Sequence, residues 1–112
     1  MPPHGLDAVI HAPVRLQICA MLSATDEAEF ALLRDETGVS ESVLSKHLKQ
    51  LEDAGYVTLR KATVASRQRT WAGLTRKGRA AFAAHVEALN RLVRSEPAAA
   101  GVLETPDGAP RR

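Results

Sequence analysis

The apolar positions of this chain run first in helical and then in alternating rhythm. Between residues 40 and 54, Leu44, Leu48 and Leu51 share one stripe at about 100° per residue, flanked by Val43, His47 and Ala54. Ser42, Lys46 and Lys49 fall on the opposite side, with Ser45 at its edge. Ser40 stands where its hydroxyl would cap this helix, and Gly55 where a glycine would end it. Upstream, Leu6, Val9 and Ile10 are spaced for a short first helix that stops before Pro13. Pro13 suits the first turn of the next helix, where its missing N–H would have no intrahelical partner. That second helix, residues 14–22, is apolar on most sides, with Leu16, Ile18, Cys19 and Leu22 able to face a core. Phe30, Leu32 and Leu33 lead a third helix through Glu36, stopped by Gly38. Two helices joined by a tight glycine-containing turn predict a helix-turn-helix.

Beyond Gly55 the period shortens to two. Val57 and Leu59 alternate with Thr58 and Arg60, which predicts a strand over 56–62, and residues 68–74 form a second candidate. Residues 63–67 are then the hairpin tip, with Trp71 assigned to packing in preference to stacking on a base. Thr75 can cap a last helix from Arg76 to about Ser95. In it Phe82, Val86, Leu89 and Val93 form an apolar seam, and Ala81, Ala84 and Ala88 let another helix approach. So long a helix after a finished hairpin exceeds what the core needs. The seam, with Leu6, Val9 and Ile10, is therefore expected to meet a second copy of the chain. Residues 23–29 read as a polar connection whose Asp26, Glu27 and Glu29 are solvated, because their spacing matches no calcium or zinc loop. Residues 1–5 are expected to be flexible. Residues 96–112, rich in Pro, Ala and Gly and ending in Arg111-Arg112, are expected to be a disordered tail. The expectation is one domain over 6–95, mainly α with a small β-hairpin.

Composition sharpens this in three places. The chain has 112 residues, enough for one modest core, and only 4% aromatic residues, so that core rests on aliphatic side chains. The net charge of +2 does not itself argue for nucleic acid, but its distribution does. Residues 54–86 hold seven Lys/Arg and no Asp or Glu, whereas residues 1–53 hold nine acids against four bases. A local surplus of that kind is what phosphate contact requires. The single cysteine, Cys19, rules out an intramolecular disulfide and a cysteine-rich zinc site, and its neighbours predict a buried apolar role. No membrane span or secretory signal is evident, so a cytoplasmic protein is expected.

The order helix, helix, helix, amphipathic helix, basic hairpin, terminal helix resembles a bacterial winged helix-turn-helix transcriptional regulator. It is similar to the small stand-alone group around the multiple antibiotic resistance (MarR) and arsenic (ArsR) repressors. Three stretches carry the likeness: His11-Ala-Pro-Val-Arg-Leu-Gln-Ile18, Leu44-Ser-Lys-His-Leu-Lys-Gln-Leu-Glu-Asp-Ala-Gly-Tyr-Val57, and Arg69-Thr-Trp-Ala-Gly-Leu-Thr-Arg-Lys-Gly78. The resemblance covers residues 6–93 and implies a homodimer, most simply a repressor. Each recognition helix would enter a major groove of a pseudo-palindromic operator, with half-sites about 34 Å apart. The cysteine pairs of the metal-sensing branch are missing, so no thiolate metal site is expected. No cofactor is expected, and an unidentified small-molecule effector stays open.

The candidate DNA contacts follow. Ser42, Ser45, Lys46 and Lys49 on the helix are placed to meet bases or phosphates, and Ser40 brings the helix N-terminus to a phosphate. Glu41 suits the helix dipole, and His47 is more simply a hydrogen-bonded, partly buried ring than a base contact. Lys61, Arg67 and Arg69 supply the hairpin, with Arg67 at its tip for the backbone or minor groove. Enzymatic motifs such as a P-loop, G-x-S-x-G or H-E-x-x-H are missing, so no catalysis is expected. The alternative is a winged helix used as a protein–protein adaptor without specific DNA binding.

Overall fold

The computed structural model describes residues 5–94. In chain order they form α1 (Ala8–His11), α2 (Pro13–Ser23), β1 (Ala28–Glu29), α3 (Phe30–Thr37), α4 (Glu41–Asp53), β2 (Val57–Val64), β3 (Arg67–Leu74) and α5 (Arg76–Arg94). The expected flexible start and tail fall almost wholly outside the described residues.

Local signals place most of these elements. Pro13 opens α2, and Gly38, at φ 73°, closes α3 with its N–H on the Arg34 carbonyl. The Ser40 hydroxyl accepts from Val43 N at 3.2 Å and so caps α4. Leu44, Leu48 and Leu51 are buried as their spacing predicts. They join Ile10, Ile18, Cys19, Leu22 and Leu33 from the other helices and Val57, Ala72 and Leu74 from the sheet in one core. Burial, with Asp7's charge adding to it, pushes the Cys19 thiol up to about 11, which suits a packing role.

Three expectations are corrected. The acidic connection is not all loop: Ala28 and Glu29 form a short strand that pairs with Ala72 and Trp71, making a three-stranded antiparallel sheet in the order β1-β3-β2. The hairpin strands are longer than their alternation suggested, since pairing continues from Val57↔Leu74 to Val64↔Arg67. The tip shrinks to Ala65-Ser66, both at positive φ, 52° and 66°, the backbone sense of a type I′ turn. Leu6 and Ile10, expected between protomers, are instead taken up by their own domain, at 6% and 0% exposure.

α5 leaves the sheet through a close junction. Thr75 N donates to the Tyr56 carbonyl, its hydroxyl donates to the Gly55 carbonyl at 2.7 Å, and the same oxygen accepts from Gly78 N at 2.9 Å. The last bond is the predicted cap of α5. A Cβ on Gly78 would lie 2.1 Å from the Tyr56 oxygen, so only glycine lets α5 start there. Farther along, α5 buries His85 and Ala88 against the domain. Asp7 N donates to His85 Nδ1 at 2.9 Å. The Asp7 carboxylate caps α1 by accepting from Val9 N and Ile10 N, and also accepts from the Tyr56 hydroxyl at 2.5 Å.

Gly78→Ala should lower stability by about 2–3 kcal/mol in a denaturant melt, although alanine is favoured by about 1 kcal/mol in an open helix. A rise in the midpoint would contradict the junction. Replacing Ala65-Ser66 by Asn-Gly should raise stability by about 1 kcal/mol by relieving the left-handed alanine and serine. Burial, with His11 adding to it, holds the His85 imidazole below its usual 6.5, so folding favours the neutral ring. Its contribution is present above 6.5 and is lost as pH falls from there through the folded value. Melting temperature should drop between about pH 7 and about pH 5, and the His85 ring should titrate by NMR with a midpoint below 6.5.

Candidate nucleic-acid interface

The core fixes which side of α4 is available. With the leucine stripe buried, Ser42, Ser45, Lys46 and Lys49 are all exposed, as are Lys61 and Arg67 on the hairpin. Ser40 is committed to the cap, and its hydroxyl oxygen lies 3.3 Å from that of Ser42. Lys49 reaches Asp53 one turn along at 3.1 Å, and this bond holds its ammonium above the usual range. Both partners are open to solvent, so the pair is readily exchanged for another anion.

Two adjoining clefts bring the helix and hairpin residues onto one surface. A cleft of about 330 Å³ between α4 and the sheet is lined by Ser45, Lys49, Glu52, Leu59, Lys61 and Thr70. A more polar one of about 410 Å³ lies between α3, the start of α4 and β3, with Glu29, Arg34, Glu41, Arg67 and Arg69 in its walls. Ser45, Lys49 and Lys61 are thus near neighbours in space. Lys46 lines neither cleft and stands on the outer face of α4.

The acid-free picture of the hairpin changes in three dimensions. Arg60 binds Glu27 through two nitrogens at 2.8 and 3.0 Å, and Arg69 Nη1 donates to both oxygens of Glu29 at 2.9 and 3.2 Å. The hydrogen bond from Arg60 holds the Glu27 carboxyl below the usual carboxylate range. Two of the three carboxylates expected to be solvated, Glu27 and Glu29, are therefore the partners of hairpin arginines, and Arg69 is half-buried beside Glu29. Lys46, Lys61 and Arg67 form no ion pair among the described residues. Arg34, to which the sequence assigned no role, lines the polar cleft with Arg67; only the short strand β1 reveals that they are neighbours. Trp71 is half-buried in the sheet, with the Arg60 guanidinium 5.6 Å from its ring centroid, which agrees with packing.

His47 is a partly buried, hydrogen-bonded ring. Its Nδ1 lies 3.1 Å from an Arg15 nitrogen, and desolvation, reinforced by the Arg15 charge, holds its imidazole below 6.5. Of the seam expected on α5, Phe82 packs on the core, Val86 and Leu89 are half-buried, and Val93 is 81% exposed. These residues lie beside, not on, the face that buries His85 and Ala88.

This architecture has known counterparts. The chain is similar to an uncharacterized protein of Methanocaldococcus jannaschii, MJ0432, at 34% identity over 74 residues, 66% of this chain and 80% of that protein. The structure resembles that of a transcriptional regulator homologue from Pyrococcus horikoshii OT3, with a TM-score of 0.71 and 26% identity over 76% of this chain and 84% of that one. HlyU from Vibrio cholerae N16961 follows with a TM-score of 0.58 and 26% identity, over 79% of this chain and 86% of that one. The profile described as "Winged helix DNA-binding domain" matches residues 14–93. With that match over most of its length, the chain belongs to the winged helix DNA-binding domain family.

Proposed function

We propose that this protein is a transcriptional repressor that binds a pseudo-palindromic operator as a homodimer. In each protomer α4 enters a major groove, and the β2–β3 wing rests on the adjacent backbone or minor groove. The observation that carries this reading is the division of α4 into a buried leucine face and an exposed serine–lysine face, beside a cleft shared with Lys61. Ser42, Ser45, Lys46 and Lys49 then address bases and phosphates, while Ser40 presents the helix N-terminus. Arg67, next to the tight turn, is the wing's outermost cation. Arg69 contributes chiefly by holding the wing to Glu29, and contact with DNA would require it to exchange that carboxylate for a phosphate.

The second copy is proposed to sit on the α5 stripe of Val86, Leu89 and Val93, with Phe82 and Val9 at its border. An apolar residue as exposed as Val93 at the end of a 19-residue helix supports that placement. An effector, if the protein has one, has a candidate seat in an apolar groove of about 390 Å³ between α1 and α5, lined by Leu6, Ala8, Val9, Ala81, Ala84 and His85. His85 Nε2 is buried there without a hydrogen-bond partner among the described residues. Because Nδ1 accepts from Asp7, Nε2 carries the proton and would donate to a ligand oxygen.

Selection of bound sequences from a random duplex pool should yield a palindromic consensus. No enrichment, together with weak, salt-insensitive retention on duplex, would favour the adaptor reading. Lys46→Ala and Arg67→Ala should each weaken operator binding with the melting temperature unchanged. Each should also lower the slope of log affinity against log salt by about 1. Unchanged affinity at near-physiological salt would remove the residue from the contact set.

A further inference from the structure

α4 is held to the body by apolar packing, which sets its distance from the core but only weakly its rotation about its own axis. A hydrogen-bonded readout tolerates roughly 10–20° of misorientation. A directional contact would hold that rotation more tightly than packing alone, and one side chain supplies several. Arg15, on α2, donates through Nε to the carbonyl of Val9 in α1 at 2.5 Å. Through Nη1 it meets His47 Nδ1 at 3.1 Å and donates to Gln50 Oε1. One guanidinium thus joins three helices, with both α4 acceptors flanking the Lys46 and Lys49 positions.

The chemistry of this bridge depends on protonation. Arginine only donates, so His47 Nδ1 must accept, and the ring is neutral with its proton on Nε2. A second proton on His47 removes the acceptor and sets an imidazolium against the guanidinium. No carboxylate pairs with Arg15 among the described residues. The charged groups facing His47 are Arg15 from α2 and Lys46 on its own helix, both positive. Asp53 lies farther along α4, on the groove it shares with Val9, Arg15 and Gln50. From α1 only the Val9 carbonyl enters the bridge.

We propose that Arg15 is a positioning residue for the recognition helix. It fixes the rotation of α4 through His47 and Gln50, and protonation of His47 releases it, so that discrimination between operator and random DNA is lost on acidification. This rests on the proposed function of α4. Desolvation and the Arg15 charge, which hold the His47 imidazole below its usual 6.5, agree with the bridge being closed near neutrality.

The test uses the full chain and two labelled duplexes, one from the random-pool selection and one of scrambled sequence. Affinity for each is read by fluorescence anisotropy at constant salt from about pH 8 to about pH 5. The ratio of specific to scrambled affinity should fall roughly tenfold or more across that range, in line with loss of a charge-assisted hydrogen bond. His47→Gln keeps an acceptor that cannot be protonated and should hold the ratio high and flat. Arg15→Ala should give a low, flat ratio and should return the His47 NMR titration midpoint toward 6.5. A merely structural Arg15 would lower the melting temperature and leave the ratio unchanged, which overturns the proposal. So would a wild-type ratio that rises on acidification and loses that rise in His47→Gln, since His47 would then be a base contact. If Arg15→Ala does not fold, the wild-type profile against His47→Gln decides alone. A wild-type protein that selects no duplex overturns the proposed function and this inference together.

Discussion

Tyr56 is the residue at which the helix-turn-helix, the sheet and the terminal helix are held in one frame. It follows Gly55 at the end of α4, and its N–H returns to the Leu51 carbonyl while Gly55 N returns to Glu52, a Schellman closure. Its carbonyl then accepts from Thr75 and occupies the space that Gly78 leaves empty. Its ring lies 5.7 Å from the Lys77 ammonium, and its hydroxyl donates to Asp7, which caps α1 and bonds His85. Donation to that carboxylate pushes the phenol up to about 12, so the bond persists across the ordinary pH range. The exit of α4, the origin of α5 and the seating of α1 are thus set by adjoining atoms of one residue. A shift of α5 or α1 must be felt at the C-terminal end of α4.

The electrostatics follow a different logic from the linear charge pattern. Two wing arginines are neutralised by acids from the segment before α3, and Arg69 is thereby turned from a surface cation into an anchor. Of the wing's cations, Lys61 and Arg67 are left without an ion pair among the described residues, beside the outer face of α4, while Arg76, Lys77 and Arg79 are exposed at the start of α5. Exposed pairs of this kind contribute little to stability. Their effect is to remove two of the wing's four cations, Arg60 and Arg69, from the exposed positive charge.

Features encoded within a few residues were legible in the sequence. The leucine stripe, the caps at Ser40 and Thr75, the stops at Gly38 and Gly55 and the burial of Cys19 all follow from spacing and hydrogen-bonding capacity, and the structure repeats them. Features that depend on distant partners were not. β1 is only two residues long, so no alternation announces it, and its partner strand lies some 40 residues away. The roles of Glu27 and Glu29 come with that strand. Asp7 shows a possible cap but not its bonds to Tyr56 and His85, and Leu6 and Ile10 show hydrophobicity but not whose core they enter. On the candidate surface, the exposed face of α4 was legible, whereas Arg34 and the fate of Arg69 required the sheet.

The two-residue turn at Ala65-Ser66 has a mechanical consequence. A wing that ends in paired strands and a minimal turn has no slack loop to order when it meets another molecule, so the entropy of fixing its shape is lost during folding. The distance from the turn to the outer face of α4 then acts as a gauge, held toward its base by the β1–β3 ladder, with the Glu29–Arg69 pair nearer the turn. A surface gripped by both must match that gauge, and any bending or widening needed to do so falls on the partner.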